Sequence, residues 1–223
     1  MARIVITGAN RGIGLSMTQQ LCARGDEVIA ACRRSSEALQ ESGASIHEGV
    51  DVTDPASVEQ FAEALGETDV DTLINNAGLL SSQSFGEMDA EAVAAMKRQY
   101  EVNSLGPVLM SQAMAPRMSR GGRIGIITSR MGSITDNTSG GSYGYRMSKA
   151  AVNIAGVSLA QDLKPRGIAV ALLHPGFVRT EMTGHQGHLE PDEAAEGLIA
   201  RLDALSLEST GRFWHSNGER LPW

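Results

Sequence analysis

Residues 3–14 read Arg3-Ile4-Val5-Ile6-Thr7-Gly8-Ala9-Asn10-Arg11-Gly12-Ile13-Gly14. The opening run is short and β-branched at its centre, which suits a strand buried on both faces of a parallel sheet. Gly8 ends it. From Ile13 onward Leu15, Met17, Leu21 and Cys22 recur at helical spacing until Gly25 stops them. A strand, a glycine-rich turn and a helix in direct succession are the start of a βαβ unit. Glycines there allow a tight turn and let the backbone approach a ligand. The helix N-terminus adds free N–H groups and the positive end of its dipole, a site shaped for phosphate or pyrophosphate. Close helix–strand packing would also select glycine, and it is the position on the first βα turn that favours a nucleotide.

The same alternation continues along the chain. Strands are expected at residues 26–32, 45–49, 70–75, 123–129 and 168–174, with a last short one at Phe213-Trp214. Helices are expected around 36–41, at 54–65 with Asp54 as N-cap and Pro55 at the first position, and at 89–117 with an interruption at Gly106-Pro107. Two more follow, one after Tyr145 to 163 and one at 191–205. Strands and helices at this spacing predict an α/β fold, a single doubly wound parallel β-sheet with helices on both faces, spanning residues 1–223. No linker, repeat or low-complexity tract divides it.

Composition sets outer bounds. A chain of 223 residues, 42% hydrophobic and 20% charged, is long enough for one sizeable core. A formal net charge of −7 argues against a general nucleic-acid binder. Cys22 and Cys32 lack metal-site spacing and point to a reducing compartment rather than a disulfide framework. The apolar strand begins by Ile4, which leaves no room for a signal peptide, and no apolar run approaches the ~20 residues of a membrane span. The expectation is a soluble cytoplasmic protein.

Chemistry is expected in Gly141-Ser142-Tyr143-Gly144-Tyr145-Arg146-Met147-Ser148-Lys149. Tyr145 and Lys149 are four residues apart, so on a helix the phenol and the ammonium share one face. A free tyrosine titrates near ~10, too high for acid–base work at neutral pH, and a fixed cation favours the phenolate. Tyr143 has Met147 four residues on and becomes a candidate pocket wall. Taken alone, the pair is equally a surface i,i+4 contact. Pro107 adds a backbone argument: lacking an N–H, it leaves the carbonyl of Asn103 without its helical partner, free to hold a water. As the bland alternative, Asn103 caps a broken helix. His185 and His188 form His-x-x-His, but no third ligand accompanies them, and no metal site is expected.

Thr7-Gly8-x-x-x-Gly12-x-Gly14 resembles the glycine motif of the short-chain dehydrogenase/reductase family. Asn75-Asn76-Ala77-Gly78, Tyr145-x-x-x-Lys149 and Pro175-Gly176-Phe177-Val178-Arg179-Thr180 match three further motifs of that family, in its order, over residues 7–180. Ser-Arg-Met-Gly-Ser-Ile at 129–134, Tyr-Arg-Met-Ser-Lys at 145–149 and the ending Gly-Arg-Phe-Trp…Gly-Glu-Arg-Leu-Pro-Trp resemble the short carbonyl reductases of the sniffer and C-factor type within it. The resemblance implies a Rossmann-type fold and a catalytic set of Asn103, Ser129, Tyr145 and Lys149. Tyr145 would exchange the proton, and Lys149 would lower its pKa and hold the nicotinamide ribose. Ser129 would bind the substrate oxygen, with Ser133 as the alternative because Ser129 lies 16 residues before Tyr145 rather than the 13 of many relatives.

For the cofactor, the resemblance implies binding by Gly8, Asn10, Arg11, Gly12, Ile13, Gly14, Asn76, Ala77, Gly78, Tyr145, Lys149, Pro175, Gly176, Val178 and Thr180, with Asp51 and Val52 facing the adenine. The end of the second strand reads Ala31-Cys32-Arg33-Arg34, without the carboxylate of NAD-specific sites. Guanidinium groups pair bidentately with phosphate, so NADP(H) is expected over NAD(H), with Arg33 and Arg11 on the 2′-phosphate and Arg34 in solvent. Residues 180–190 would form a short, mobile substrate loop, given Gly184 and Gly187. The expected activity is reduction of a small aldehyde or ketone. The alternatives are an NADP-binding signalling protein with little turnover, or epimerisation or dehydration on the same scaffold. Arg130, Met131 and Arg146 hint at a pocket for anionic or polarisable groups. Family habit leans toward a homodimer through the long helices.

Overall fold

A computed structural model describes all 223 residues. Seven strands form one sheet: β1 (Arg3–Thr7), β2 (Glu27–Ala31), β3 (Ser45–His47), β4 (Thr72–Asn75), β5 (Arg123–Ile127), β6 (Ala169–His174) and β7 (Arg212–His215). Their order across the sheet is β3-β2-β1-β4-β5-β6-β7, and every neighbouring pair is parallel. The helices are α1 (Gly12–Arg24), α2 (Glu37–Gln40), α3 (Pro55–Ala64), α4 (Ala90–Tyr100), α5 (Gly106–Met114), α6 (Tyr143–Leu163) and α7 (Pro191–Asp203). This is the expected Rossmann-type doubly wound sheet. The strand order reverses direction between β1 and β4, and a crevice opens there beyond the strand C-termini, the place where such folds bind ligands.

The strands read as continuous apolar runs because each side of the sheet has its own core. Val5, Ile29, Leu73, Ile124, Ile126 and Val170 face α3, α5 and α6, together with Phe61, Met110, Met114 and Val152. Ile4, Ile6, Val28, Ala30, Ile74, Ala169 and Ala171 face α1 and α7, with Met17, Leu21, Leu198 and Leu202. Successive residues of one strand thus enter opposite cores, as period-two alternation requires. Asp54 caps α3 by accepting from the Ala56 N–H, with Pro55 in the first turn, and Gly25 closes α1 in the left-handed conformation (φ 92°).

The break in the long helix lies one turn earlier than the sequence suggests. Residues Glu101–Leu105 form a π-helical turn, and the α-helix resumes at Gly106. The Gly106 N–H reaches back to the Glu101 carbonyl. Pro107 can give no i→i−4 bond, so the widened turn falls on the residues whose carbonyls lose their partner, upstream of the proline itself. No helix is long and apolar enough to cross a membrane.

Candidate active site

Three chain segments meet at the crevice. Gly8 follows β1 with φ 65°, and a Cβ placed on it would lie 2.9 Å from Ala77 Cα. On Gly14 a Cβ would come within 2.3 Å of the Gly8 carbonyl and 2.4 Å of Asn76 Nδ2. Only hydrogen fits at either place. Asn76 Nδ2 donates to the carbonyls of Thr7 and Gly8, at 3.0 Å each, and the buried Thr7 Oγ1 accepts from the N–H groups of Asn76 and Ala77, also at 3.0 Å. The glycine loop is thereby clamped to the segment after β4. Asn10 ties it on the other side, donating to the Arg34 carbonyl and accepting from Ser36 Oγ.

At the head of α1 no side chain caps the helix, and the N–H groups of Gly12, Ile13 and Gly14 make no hydrogen bond within the chain. Unpaired N–H groups on a loop that tolerates no side chain form a cradle for a phosphate group, so the residues present fit a dinucleotide. Opposite them, Thr180 Cγ2 would lie 3.3 Å from a Cβ on Gly12. Val178 is buried and bridges to Leu189, while Gly176 adopts φ 94° against Leu189 Cδ1.

The two expected phosphate-binding arginines stand differently. Arg33 is exposed at the end of β2 and forms no ion pair. Arg11, expected to be open to the cofactor, instead donates to Glu181 Oε2 at 2.5 Å. The carboxylate of the neighbouring turn reaches it across the groove. Asp51 accepts from Thr53 N and Oγ1 at 2.9 and 2.7 Å and sits 3.6 Å from Arg98. Partial burial opposes ionisation there, yet these bonds, with Arg98 and Arg33, hold the Asp51 carboxyl below its usual value. Val52 is packed in the core, its side chain against Gly106.

The groups expected to handle the proton gather beside α6. Ser129 ends the β5 segment and caps the 3-10 turn Arg130–Gly132 by accepting from the Met131 N–H at 3.1 Å. Gly132 rests on the backbone of Lys149, where a Cβ would approach to 2.7 Å. Tyr145 is buried beside Ser129, and Lys149 Nζ lies 5.7 Å from the centre of its ring and donates to the Ile127 carbonyl at 2.9 Å. Ser133, the alternative serine, accepts from the Asp136 N–H and closes a loop turn instead. Asn103 lies in the π turn. Its Oδ1 accepts from Leu79 N at 2.9 Å, and its Nδ2 donates to the Leu79 carbonyl at 2.8 Å and to Ser148 Oγ at 3.0 Å. Gly78 stands where a Cβ would face both Asn103 Oδ1, at 3.3 Å, and Lys149 Nζ, at 3.9 Å.

The expected electrostatics need correction. Burial pushes the Tyr145 phenol up to about 12, only partly offset by Ser129, and burial also lowers Lys149 to about 8. The ammonium donates to the Ile127 carbonyl, and loss of solvent is the dominant influence on the phenol. The arginines thought to colour the pocket have partners too. Arg130 bridges Asp136 and Glu219, each at 3.0 Å, and Arg146 donates to Gly140, Gly141 and Ser139, bracing the loop before α6. The loop expected to be a mobile lid is closed at its neck, where the N–H of His188 bonds the Phe177 carbonyl, that of Arg179 bonds Leu189, and Arg179 pairs with Glu190. His188 packs edge-on against Phe177, and no group of three or more His, Cys, Asp or Glu is arranged to hold a metal ion.

Sequence reasoning missed Gln83. Its Oε1 accepts from the Gly144 N–H at 2.9 Å and its carbonyl from the Ser142 N–H, so it caps the helix carrying Tyr145 from 61 residues away. Ser142, at the N-cap position itself, has φ 46° and its side chain makes no cap bond. Ser148 was also missed. It donates to the Tyr145 carbonyl at 2.8 Å while accepting from Asn103, joining two expected site residues.

A family model described as short chain dehydrogenase matches residues 2–190. The chain is similar to the 1-hydroxy-2-glutathionyl-2-methyl-3-butene dehydrogenase of Rhodococcus sp. (strain AD45), 42% identical over 229 residues that cover 100% of both chains. Among solved structures it resembles an NADPH-bound carbonyl reductase from chicken fatty liver, with a TM-score of 0.90, 31% identity and coverage of 100% of this chain and 99% of that one. It also resembles the carbonyl reductase Sniffer of D. melanogaster, with a TM-score of 0.89, 27% identity and full coverage of both chains.

Proposed function

This chain belongs to the short-chain dehydrogenase family, and from that premise we propose that it is an NADP(H)-dependent reductase converting a small aldehyde or ketone to the alcohol. The observation that carries the reading is the convergence of Ser129, Tyr145 and Lys149 beside a glycine loop with unpaired N–H groups. The similar chicken carbonyl reductase is described as NADPH-bound, and the end of β2 carries Arg33 in place of a carboxylate. Gly8, Gly12, Ile13, Gly14, Asn76, Ala77, Val178 and Thr180 would hold the dinucleotide, and Arg11 and Arg33 would meet its 2′-phosphate. Asp51 and Val52 would border the adenine.

Bound there, the nicotinamide would supply the hydride. The chain's own part is to orient the carbonyl and deliver a proton. Ser129 Oγ would donate a hydrogen bond to the substrate oxygen and Tyr145 would donate its phenolic proton to the same atom. A phenol titrating near 12 is protonated throughout the neutral range, as a proton donor must be. In the reverse direction it would have to act as phenolate, about one molecule in 10⁵ at neutral pH in the cofactor-free site. Lys149, still mostly charged near pH 7, would hold the ribose hydroxyls. The Asn103 side chain keeps the π turn against the segment after β4, and its backbone carbonyl would hold the water that links Lys149 to solvent.

A second reading, oxidation of an alcohol carried on a thioether conjugate, is favoured by the full-length similarity to the Rhodococcus dehydrogenase. Following NADPH absorbance with aldehydes, ketones, diketones and quinones, and NADP+ reduction with hydroxyalkyl glutathione conjugates, separates the two. Tyr145→Phe should lower turnover by about 10²–10⁴-fold while dinucleotide binding persists. Unchanged turnover in that variant would refute the mechanism.

A further inference from the structure

An ion pair spans the groove between the glycine loop and the Thr180 turn. Arg11 immediately precedes Gly12 and stands as the N-cap of α1 in extended conformation, its side chain capping nothing. Its Nη1 lies 2.5 Å from Oε2 of Glu181, 170 residues away, and both side chains are 63% exposed. Glu181 opens the 3-10 turn Glu181–Thr183, directly after Thr180, which faces Gly12. Of the two arginines at the adenosine corner, Arg33 is unpaired and Arg11 already holds an anion.

We propose that Glu181 is a specificity-determining residue of the cofactor site, acting through Arg11. Its carboxylate occupies the guanidinium face that a 2′-phosphate would take. A 2′-phosphorylated dinucleotide draws Arg11 from Glu181 to itself, whereas an unphosphorylated one leaves the pair in place. Two anions sharing one guanidinium would repel each other, and the phosphate, with more acceptor oxygens and charge, is the stronger partner. Because the pair is exposed, its competition is modest, about two- to fivefold in affinity. The inference rests on the NADP(H) reading above.

Calorimetric titration with adenosine 2′,5′-bisphosphate and with 5′-AMP isolates the 2′-phosphate from the nicotinamide and from turnover. The quantity read is the ratio of the AMP Kd to the bisphosphate Kd, for wild type, Glu181→Gln, Arg11→Ala and the double variant at low salt. Glu181→Gln should raise the ratio about two- to fivefold, and the same substitution on the Arg11→Ala background should leave the ratio as it is in Arg11→Ala. A ratio that stays level or falls in Glu181→Gln overturns the proposal. So does an equal rise without Arg11, which would reduce Glu181 to a through-space charge. A wild-type ratio at or below one removes the NADP(H) reading itself, whereas a wild-type preference that ignores Glu181→Gln removes only this inference.

Discussion

Replacing Lys149 with methionine should abolish turnover and yet stabilise the cofactor-free protein near neutral pH. Lys149 is 4% exposed, and burial lowers its pKa from 10.5 to about 8. At about 1.4 kcal/mol per tenfold, keeping the ammonium in the folded chain costs roughly 3 kcal/mol below pH 8. Above 10.5 the amine is neutral in both states and that cost vanishes. The penalty from this site therefore builds up as pH falls from 10.5 to about 8 and stays constant below that. Methionine keeps the length and removes the charge, but the Ile127 carbonyl loses its 2.9 Å donor, which costs about 1–2 kcal/mol. The net expectation is a gain of about 1–2 kcal/mol near pH 7, or some 2–8 °C in Tm for a chain of this size. Toward pH 10 the order should invert, leaving the variant less stable by the lost hydrogen bond. Urea midpoints of both proteins at the two pH values decide it. A difference that does not change with pH would refute the buried-charge account.

Thr7→Val keeps the shape of a buried side chain but strips the acceptor shared by the N–H groups of Asn76 and Ala77, so a loss of about 2–4 kcal/mol is expected by urea denaturation. Gly14→Ala forces a methyl group to within 2.3 Å of the Gly8 carbonyl, and should cost about 1–3 kcal/mol of stability and most dinucleotide affinity, read by calorimetry. Ser129→Ala should lower kcat at least tenfold, as loss of a hydrogen bond to the reacting oxygen predicts. Ser133→Ala, which loses only a loop turn, should shift kcat by less than about threefold; comparable losses in the two variants would undo the assignment of Ser129.

The order of strands and helices could be read from the chain because a strand buried on both faces must be apolar at every position, whichever helix covers it. The glycine loop was legible for a related reason: backbone that must pass close to other backbone admits no other residue, as Gly8 and Gly14 bear out. The Tyr145–Lys149 spacing was equally local, a matter of helical period. What only the tertiary structure decided were properties that depend on distant partners. Gln83 caps α6 although 61 residues separate it from Gly144, and no local pattern announces such a cap. The π turn fell on Glu101–Leu105 because the missing bond of Pro107 is felt upstream. Arg11 could be recognised as a cation at the phosphate corner, but the anion it holds comes from Glu181, near the other end of the chain. The direction of the Tyr145 shift also escaped the sequence. Spacing specifies which charges are neighbours on a helix, whereas the amount of water removed from them is settled by everything else that folds over that helix.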